Sequence, residues 1–341
     1  MEAAEQGSDC ELQGLGRDIS APAPRASGVR RRVAGVSSAA PLPHSAARPS
    51  RDPPCSGLVV KTIAHLSDLH FGRHDETAAE RLLDDISQAK PDLVVITGDL
   101  TQRARHRQFA AARAFLQKLS RPVLVVPGNH DVPLYDIVER FLGRLARYRR
   151  YICAELQPFF ADDEIALLGL NTARSATFAN GRISHKQAAA IKSVFAAVPA
   201  GRLRLLAIHH PLAAPVAAGN FTPVARAPMA LEAVTGAGVR LVLSGHYHRA
   251  VSGDLAGSDL VAGGSILLVH AGTAISTRLR GEPNSYNLLR VEPTAVTCVV
   301  RAFSGSDFVD ADTTHYTLTG GRWTRHQPVG VERVKGIEPS S

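Results

Sequence analysis

From residue 59 onward, short β-branched runs alternate with amphipathic stretches. Runs at 59–66, 92–97, 122–126, 165–170, 203–208, 239–243 and 266–270 predict strands. Helical periods lie between several of them. Ala79, Leu82, Leu83 and Ile86 share one helix face behind a Thr77…Glu80 capping box. Phe109, Ala112, Leu116 and Leu119 make a second such face. Ile191, Val194, Phe195 and Val198 make a third, behind Ser184…Gln187. After residue 285 the pattern changes. Runs at 285–291, 295–303 and 313–318 follow one another without helices and predict antiparallel strands. An α/β core that finishes in a β-rich half predicts one domain of two packed sheets with outer helices.

The two ends of the chain lack this pattern. Residues 1–58 are rich in Ala, Pro, Ser, Gly and Arg and have no apolar period, so they read as a disordered extension or an over-extended start. Residues 320–341 read as an irregular tail, which leaves 59–319 as the folded domain. The N-terminus opens with Glu2, Glu5, Asp9 and Glu11, and its Arg30–Arg32 cluster has no apolar run behind it, so no signal peptide is expected. No stretch approaches the roughly 18 apolar residues of a membrane span. Cys10, Cys55, Cys153 and Cys298 form no CxxC pair, which speaks against a zinc knuckle or a disulfide framework and fits a reducing cytoplasm.

Charge changes the picture only a little. The net charge is +8 and the sequence pI about 9.6. One of those charges belongs to residues 1–58 and two to 320–341, so the core carries about +5 without a dense basic block. A basic helical face lies near Arg144, Arg147, Arg149 and Arg150, with a solvated surface as its plainer reading. Aromatic residues, at 5%, are too few to suggest a stacking platform for single strands.

The candidate chemistry is positional. Five apolar runs each end in side chains that bind metals. "IAHLSDLH" ends in Asp68 and His70, and "LVVITGD" in Asp99. "VLVVPGNHD" ends in Asn129, His130 and Asp131. "LRLLAIHHP" ends in His209 and His210, and "VRLVLSGHYH" in His246 and His248. Ligands of open α/β sheets bind beyond the carboxyl ends of strands, so these residues converge although they span about 180 positions. Asp and neutral His suit divalent transition metals. D-x-H and H-x-H at strand ends put alternate side chains on one side. One Asp can bridge two ions about 3.5–4 Å apart.

This series, D-x-H, GD, GNHD, a later His, then GHxH, resembles the calcineurin-like metallophosphoesterases from about Thr62 to His248, with weaker likeness to Val291. The resemblance implies a four-layer αββα sandwich of two mixed sheets and a dinuclear site. It assigns Asp68, His70 and His248 to one metal, Asn129, His209 and His246 to the second, and Asp99 to both. Manganese, iron or zinc would serve. His130, with Asn129 and Asp99, is the catalytic candidate, and His130 stands near the leaving oxygen. The implied reaction is attack on a phosphodiester by hydroxide held between the cations.

In "HHP" the first His is preferred as ligand because relatives present H-x-P. His210 then reads as a packed neighbour or a substrate contact. His74 and Asn220 are further candidate substrate contacts. His65 reads as a hydrogen-bonded core residue, Asp131 as orienting its loop, and Thr97 and Thr101 as turn residues. Gly181-x-Ile183-Ser184-x-x-Gln187 resembles the class III cyclic-nucleotide and glycerophosphodiester phosphodiesterase branch, as does the Asn in "GNHD". A small phosphodiester is therefore the first expectation. A DNA exonuclease of the Mre11 type is the second, and a non-catalytic scaffold on the same fold the third. The sequence does not specify the oligomeric state.

Overall fold

The structure, a computed structural model, describes residues 60–176, 179–213, 221–255 and 265–326. The expected extension, the last residues of the expected tail and Asn220 lie outside these.

The described strands are β1 (Lys61–Leu66), β2 (Leu93–Thr97), β3 (Val123–Val126), β4 (Phe159–Ala161), β5 (Ile165–Leu170), β6 (Leu203–Ile208) and β7 (Val239–Ser244). They continue with β8 (Val251–Asp254), β9 (Leu267–His270), β10 (Ser285–Glu292), β11 (Ala295–Phe303), β12 (Phe308–Thr319) and β13 (Arg322–His326). The helices are α1 (Glu76–Ala89), α2 (His106–Lys118), α3 (Ile137–Leu142), α4 (Ala146–Tyr151), α5 (His185–Ala196) and α6 (Ala227–Gly236). One sheet has the order β13-β12-β11-β10-β1-β2-β3 and the other β4-β5-β6-β7-β9-β8. Both are mixed. β1, β2 and β3 run parallel while β10 to β13 are antiparallel. β5, β6, β7 and β9 run parallel, with β4 and β8 antiparallel at the edges.

The core explains why the strands read as they do. Ile63, Leu93, Val95 and Leu124 of the first sheet cluster with Leu167, Leu205, Leu241 and Leu243 of the second. The opposite face of the first sheet buries Leu82 and Ile86 of α1 and Phe109 and Leu116 of α2. That of the second sheet buries Ile191 and Phe195 of α5 and Leu231 and Val234 of α6. β2 is therefore covered on both sides and buried throughout, with Thr97 its one polar residue, and β5 is buried throughout likewise. Each fully buried Leu or Ile contributes roughly 1.5–3 kcal/mol of transfer free energy. β12 leaves much of one face open and alternates instead, burying Phe308, Thr314 and Tyr316. The arrangement is the expected αββα sandwich.

Two local expectations change. α1 is capped by Asp75, whose carboxylate accepts the Ala78 amide at 3.0 Å, so Thr77 lies inside the first turn rather than at its cap. The Ser184…Gln187 box caps α5 as expected. Arg322–His326 pairs with β12 as a strand within the stretch read as irregular, because Trp323 is buried and its indole donates to the Arg240 carbonyl at 3.0 Å. On α4, Arg147 is tied to Asp136 and Glu139, while Arg149 and Arg150 are exposed. No described helix is long and apolar enough to cross a membrane.

Candidate metal centre

The carboxyl ends of β1, β2 and β3 meet those of β6 and β7 where the two sheets face each other. Beyond the strand ends the ladder continues through single hydrogen bonds. Asp68 N donates to Gly98 O at 3.1 Å, His70 N to Asp99 O at 2.9 Å and Phe71 N to Leu100 O at 2.8 Å. In the second sheet, Gly245 N donates to His209 O at 3.1 Å.

The candidate ligands reach the centre by backbone handedness, not by strand alternation. Among the described residues, eight non-glycine positions have positive φ, and five of them are Asp68 (54°), His70 (50°), Asp99 (52°), His246 (78°) and His248 (60°). Each left-handed residue costs on the order of 1–3 kcal/mol, and such strain gathers at functional sites. The expectation that D-x-H and H-x-H act as extended pairs is thus corrected. Both ligands of each pair are left-handed, yet their side chains still share a cluster.

One cluster joins Asp68, His70 and His248, their ligand atoms mutually within 4.8 Å. His70 Nε2 and His248 Nε2 stand 3.2 Å apart, at 3.6 and 3.2 Å from Asp68 Oδ1. The other side joins Asn129, His209 and His246. His209 Nε2 lies 3.0 Å from Asn129 Oδ1, 3.2 Å from His246 Nδ1 and 3.5 Å from Asp99 Oδ2. Asp99 Oδ2 is also 3.8 Å from His70 Nε2, which puts it between the clusters.

The donor set fits cations. His209 Nδ1 donates to the Thr97 carbonyl at 2.7 Å and His248 Nδ1 to the Arg278 carbonyl at 3.2 Å. Each ring is so held that its Nε2 lone pair points into the centre. Asp68 Oδ1 is buried beside two imidazole nitrogens but makes no hydrogen bond to either. Nitrogen and oxygen ligand atoms crowd within 3.0–3.8 Å of one another, the grouping that the ligands of an ion take up.

Electrostatics agree. Burial would raise the Asp68 carboxyl, but His248, His70 and His209 outweigh it and hold it well below the usual range. Burial is outweighed at Asp99 too, by His209, His130 and His70. Burial and the neighbouring His209 push His246 down to about 4, which keeps its ring neutral. At His248, burial opposes the charged form but the facing Asp68 raises the pKa.

Two glycines permit the approach. A Cβ on Gly128 would fall 2.1 Å from Asp99 Oδ1 and 2.3 Å from Asp99 N. A Cβ on Gly245 would fall 1.7 Å from Ser67 Oγ. Asp131 ties the loops together, as its sequence position suggested. Its carboxylate accepts from Leu100 N (3.2 Å), Thr101 N (2.9 Å), Gly128 N (3.0 Å) and the Thr101 hydroxyl (3.0 Å). Burial, and next the charge of Asp99, push this carboxyl up to about 6 against those donors.

His130 lies at the edge of the first cluster, its ring 4.8 Å from that of His70. Its amide donates to Asp99 Oδ1 at 2.8 Å and its Nδ1 to the Gln102 carbonyl at 2.8 Å. Its Nε2 accepts from Arg278 Nη1 at 3.3 Å. Arg278 was not anticipated. It lies in the loop between β9 and β10, and nothing in the surrounding sequence marks it.

His210 sits directly behind the ligands. Its ring is 4.7 Å from that of His209 and 4.6 Å from that of His246, and its Nδ1 is 2.7 Å from the Thr172 hydroxyl. Its atoms also complete a possible ligand group with His209 and His246. His74 is engaged within its own loop, by Gly72 N at 3.2 Å and Glu76 at 3.0 Å, and no contact joins it to the candidate ligands. His65 is fully buried, 3.0 Å from the Thr97 hydroxyl, which matches its reading as a core residue.

Known proteins resemble this chain. An alignment of 82 residues is 37% identical to the glycerophosphodiester phosphodiesterase GpdQ of Enterobacter lignolyticus, covering 20% of this chain and 29% of that one. An alignment of 221 residues is 26% identical to a probable cyclic nucleotide phosphodiesterase of Synechococcus, covering 55% of this chain and 74% of the relative. The first match thus takes in less than a third of the relative's length. Among solved structures, the purple acid phosphatase PPD1 of yellow lupin superposes with a TM-score of 0.59 at 13% identity, over 76% of this chain and 54% of that one, which is a likeness of fold. Residues 61–250, more than half of the sequence and every candidate ligand among them, match the calcineurin-like phosphoesterase family, and the chain belongs to it.

Proposed function

We propose that the protein hydrolyses a small phosphodiester, such as a cyclic nucleotide or a glycerophosphodiester. One observation carries this reading: candidate ligands from five strand ends form two adjoining clusters with Asp99 between them and His130 at their edge. Asp68, His70 and His248 would hold one cation, Asn129, His209 and His246 another, and Asp99 both. Manganese, iron or zinc suits these donors. When bound, the cations would supply Lewis acidity and a water acidified toward neutral pH.

The protein's own groups supply the rest. Asn129 adds an amide donor for charge developing on the phosphoryl oxygens. His130 carries its hydrogen on Nδ1, so Nε2 is the atom that takes up a proton and hands it to the leaving alkoxide. Arg278, whose guanidinium touches that Nε2, steadies the alkoxide charge. The names of the two curated relatives support a small phosphodiester over DNA. All seven candidate ligands are intact, which weighs against the scaffold reading.

The test is a panel of bis(p-nitrophenyl) phosphate, cyclic nucleotides, glycerophosphodiesters and single-stranded DNA, each with manganese added. Asp99→Ala should lose both bound metal and turnover. Hydrolysis by that variant at the wild-type rate would end the assignment of Asp99 as shared ligand.

A further inference from the structure

A cavity of about 260 Å³ opens at the carboxyl end of β5, lined among others by Arg144, Asn171, Arg174, Arg182, Lys186 and Gln187. Four of these are cationic, and no carboxylate lines the cavity. Arg174 and Arg182 are half-buried. Some described arginines elsewhere have acidic partners, such as Arg147 with Asp136, Arg249 with Glu282 and Arg301 with Asp85, while many stand alone on the surface; here three line one cavity together. Among the described residues, Arg144, Arg174, Arg182 and Lys186 have none. Burial, and then the charges of Arg182, Arg144 and Arg226, push the Arg174 guanidinium below its usual value. α5 also begins here, with Ser184 as its cap, so the positive end of its dipole faces the same space.

Crowding like charges in a partly buried pocket is costly, and no acidic side chain offsets it. An anion would. Two guanidinium forks and an ammonium beside a helix N-terminus match the charge and several oxygens of a phosphate monoester.

The pocket adjoins the metal centre. Thr172, between the lining residues Asn171 and Ala173, holds His210 Nδ1 at 2.7 Å. Gly181, next to Arg182, packs so closely on the His210 ring that an added Cβ would fall 2.4 Å away. Arg182 N donates to Thr172 O at 3.0 Å, which joins these two segments. Thr172 and Gly181, each next to a lining residue, and the His210 ring they pack on, 4.7 Å from that of His209, lie between the pocket lining and the candidate ligand. A second cavity, of about 240 Å³ near Arg204 and Arg240, lies at the amino ends of β6 and β7, away from the centre.

We propose that the basic pocket binds a second phosphate group, carried by the substrate beyond the scissile diester, with Arg174 and Arg182 gripping it. This rests on the phosphodiesterase reading above and narrows the substrate to diesters that bear a further phosphate.

The test uses p-nitrophenyl alkyl phosphodiesters in matched pairs, the alkyl arm ending in a phosphate or in a hydroxyl, with short and long spacers. The metal-loaded full chain should favour a phosphate-ended member by about ten- to a hundredfold in kcat/KM, chiefly through KM. Arg174→Gln and Arg182→Gln should bring that ratio close to one. Calorimetry on chelator-treated protein, where nothing turns over, should give the same discrimination in Kd and the same loss in both variants. No turnover on any diester, together with tighter binding of the phosphate-ended members, would remove the phosphodiesterase reading and support the pocket. Turnover with no discrimination in either assay would overturn the pocket. Binding of inorganic phosphate, displaceable but without discrimination within the pairs, would make it a free-phosphate site and overturn the substrate assignment.

Discussion

Asp131→Asn sets two physical effects against each other. Each carboxylate oxygen of Asp131 serves two donors: Thr101 N and the Thr101 hydroxyl on one, Leu100 N and Gly128 N on the other. Asparagine replaces one oxygen with an NH₂ group. If that group faces Leu100 and Gly128, two buried amides meet a donor and cannot turn away. If it faces Thr101, the hydroxyl can swing to the His130 carbonyl, 3.1 Å away, and only the Thr101 amide is stranded. The second orientation is cheaper. It costs about 1–3 kcal/mol for the stranded amide, plus about 1 kcal/mol for weakening bonds that had been charge-assisted. The opposing effect is relief from burial and from Asp99, which together hold the carboxyl at about 6. Bound cations would neutralise Asp99 and shrink that relief. The metal-loaded variant should therefore lose about 3 kcal/mol, or roughly 6–12 °C in Tm, and the chelated one less. Thermal melts of both forms decide the matter. A variant as stable as wild type when loaded would mean that the cost of burying the charge outweighs the four donors, contrary to the geometry.

Other outcomes follow from the same structure. Burial, and for His65 the nearby His270 as well, holds both imidazoles near 3, against 6.5 for a free side chain. Their folded pKa is depressed, so the stability they confer is complete above about 6.5 and is lost as pH falls toward 3. His270→Asn should flatten the pH dependence of unfolding free energy between pH 6 and 4 by about 1.4 kcal/mol per unit, measured by denaturant titration; an unchanged slope would show that His270 does not stay neutral. Gly128→Ala drives a Cβ into Asp99 and should cost about 1–3 kcal/mol in thermal melts, and metal analysis should find depleted cation. His130→Gln should keep its metal, with kcat lowered by about 10²–10⁴; loss of metal instead would make His130 a ligand.

How much of this was legible depends on where the signal is written. The ligands stand at the ends of long apolar runs, and the sandwich buries those runs on both faces, so strand and ligand announce each other. Asp68, Asp99 and His246 could be placed from such runs alone. β4 and β8 are short edge strands, and "VSGD" carries no run to read. The left-handed backbone at Asp68, His70 and His248 was hidden because residue type predicts handedness poorly outside glycine. Arg278 and the basic pocket were illegible for a different reason. Arg174 and Arg182 lie in the connection from β5 to α5 and Arg144 in the turn between α3 and α4, and only the fold brings the two segments together.

The candidate ligands are divided between the sheets. Asp68, His70, Asp99 and Asn129 extend from the first, and His209, His246 and His248 from the second. Each proposed cation would therefore take hold of both. Elsewhere that seam is largely interdigitated aliphatic side chains, which resist separation but not sliding. An ion at the rim would act as a rivet, fixing the register between sheets as well as their distance. Hydrogen exchange should then slow on loading at both sets of strand ends together, while the outward faces of α1 and α5 exchange as before. A centre suited to breaking phosphoester bonds would thus also be the joint by which the two halves of the sandwich keep their alignment.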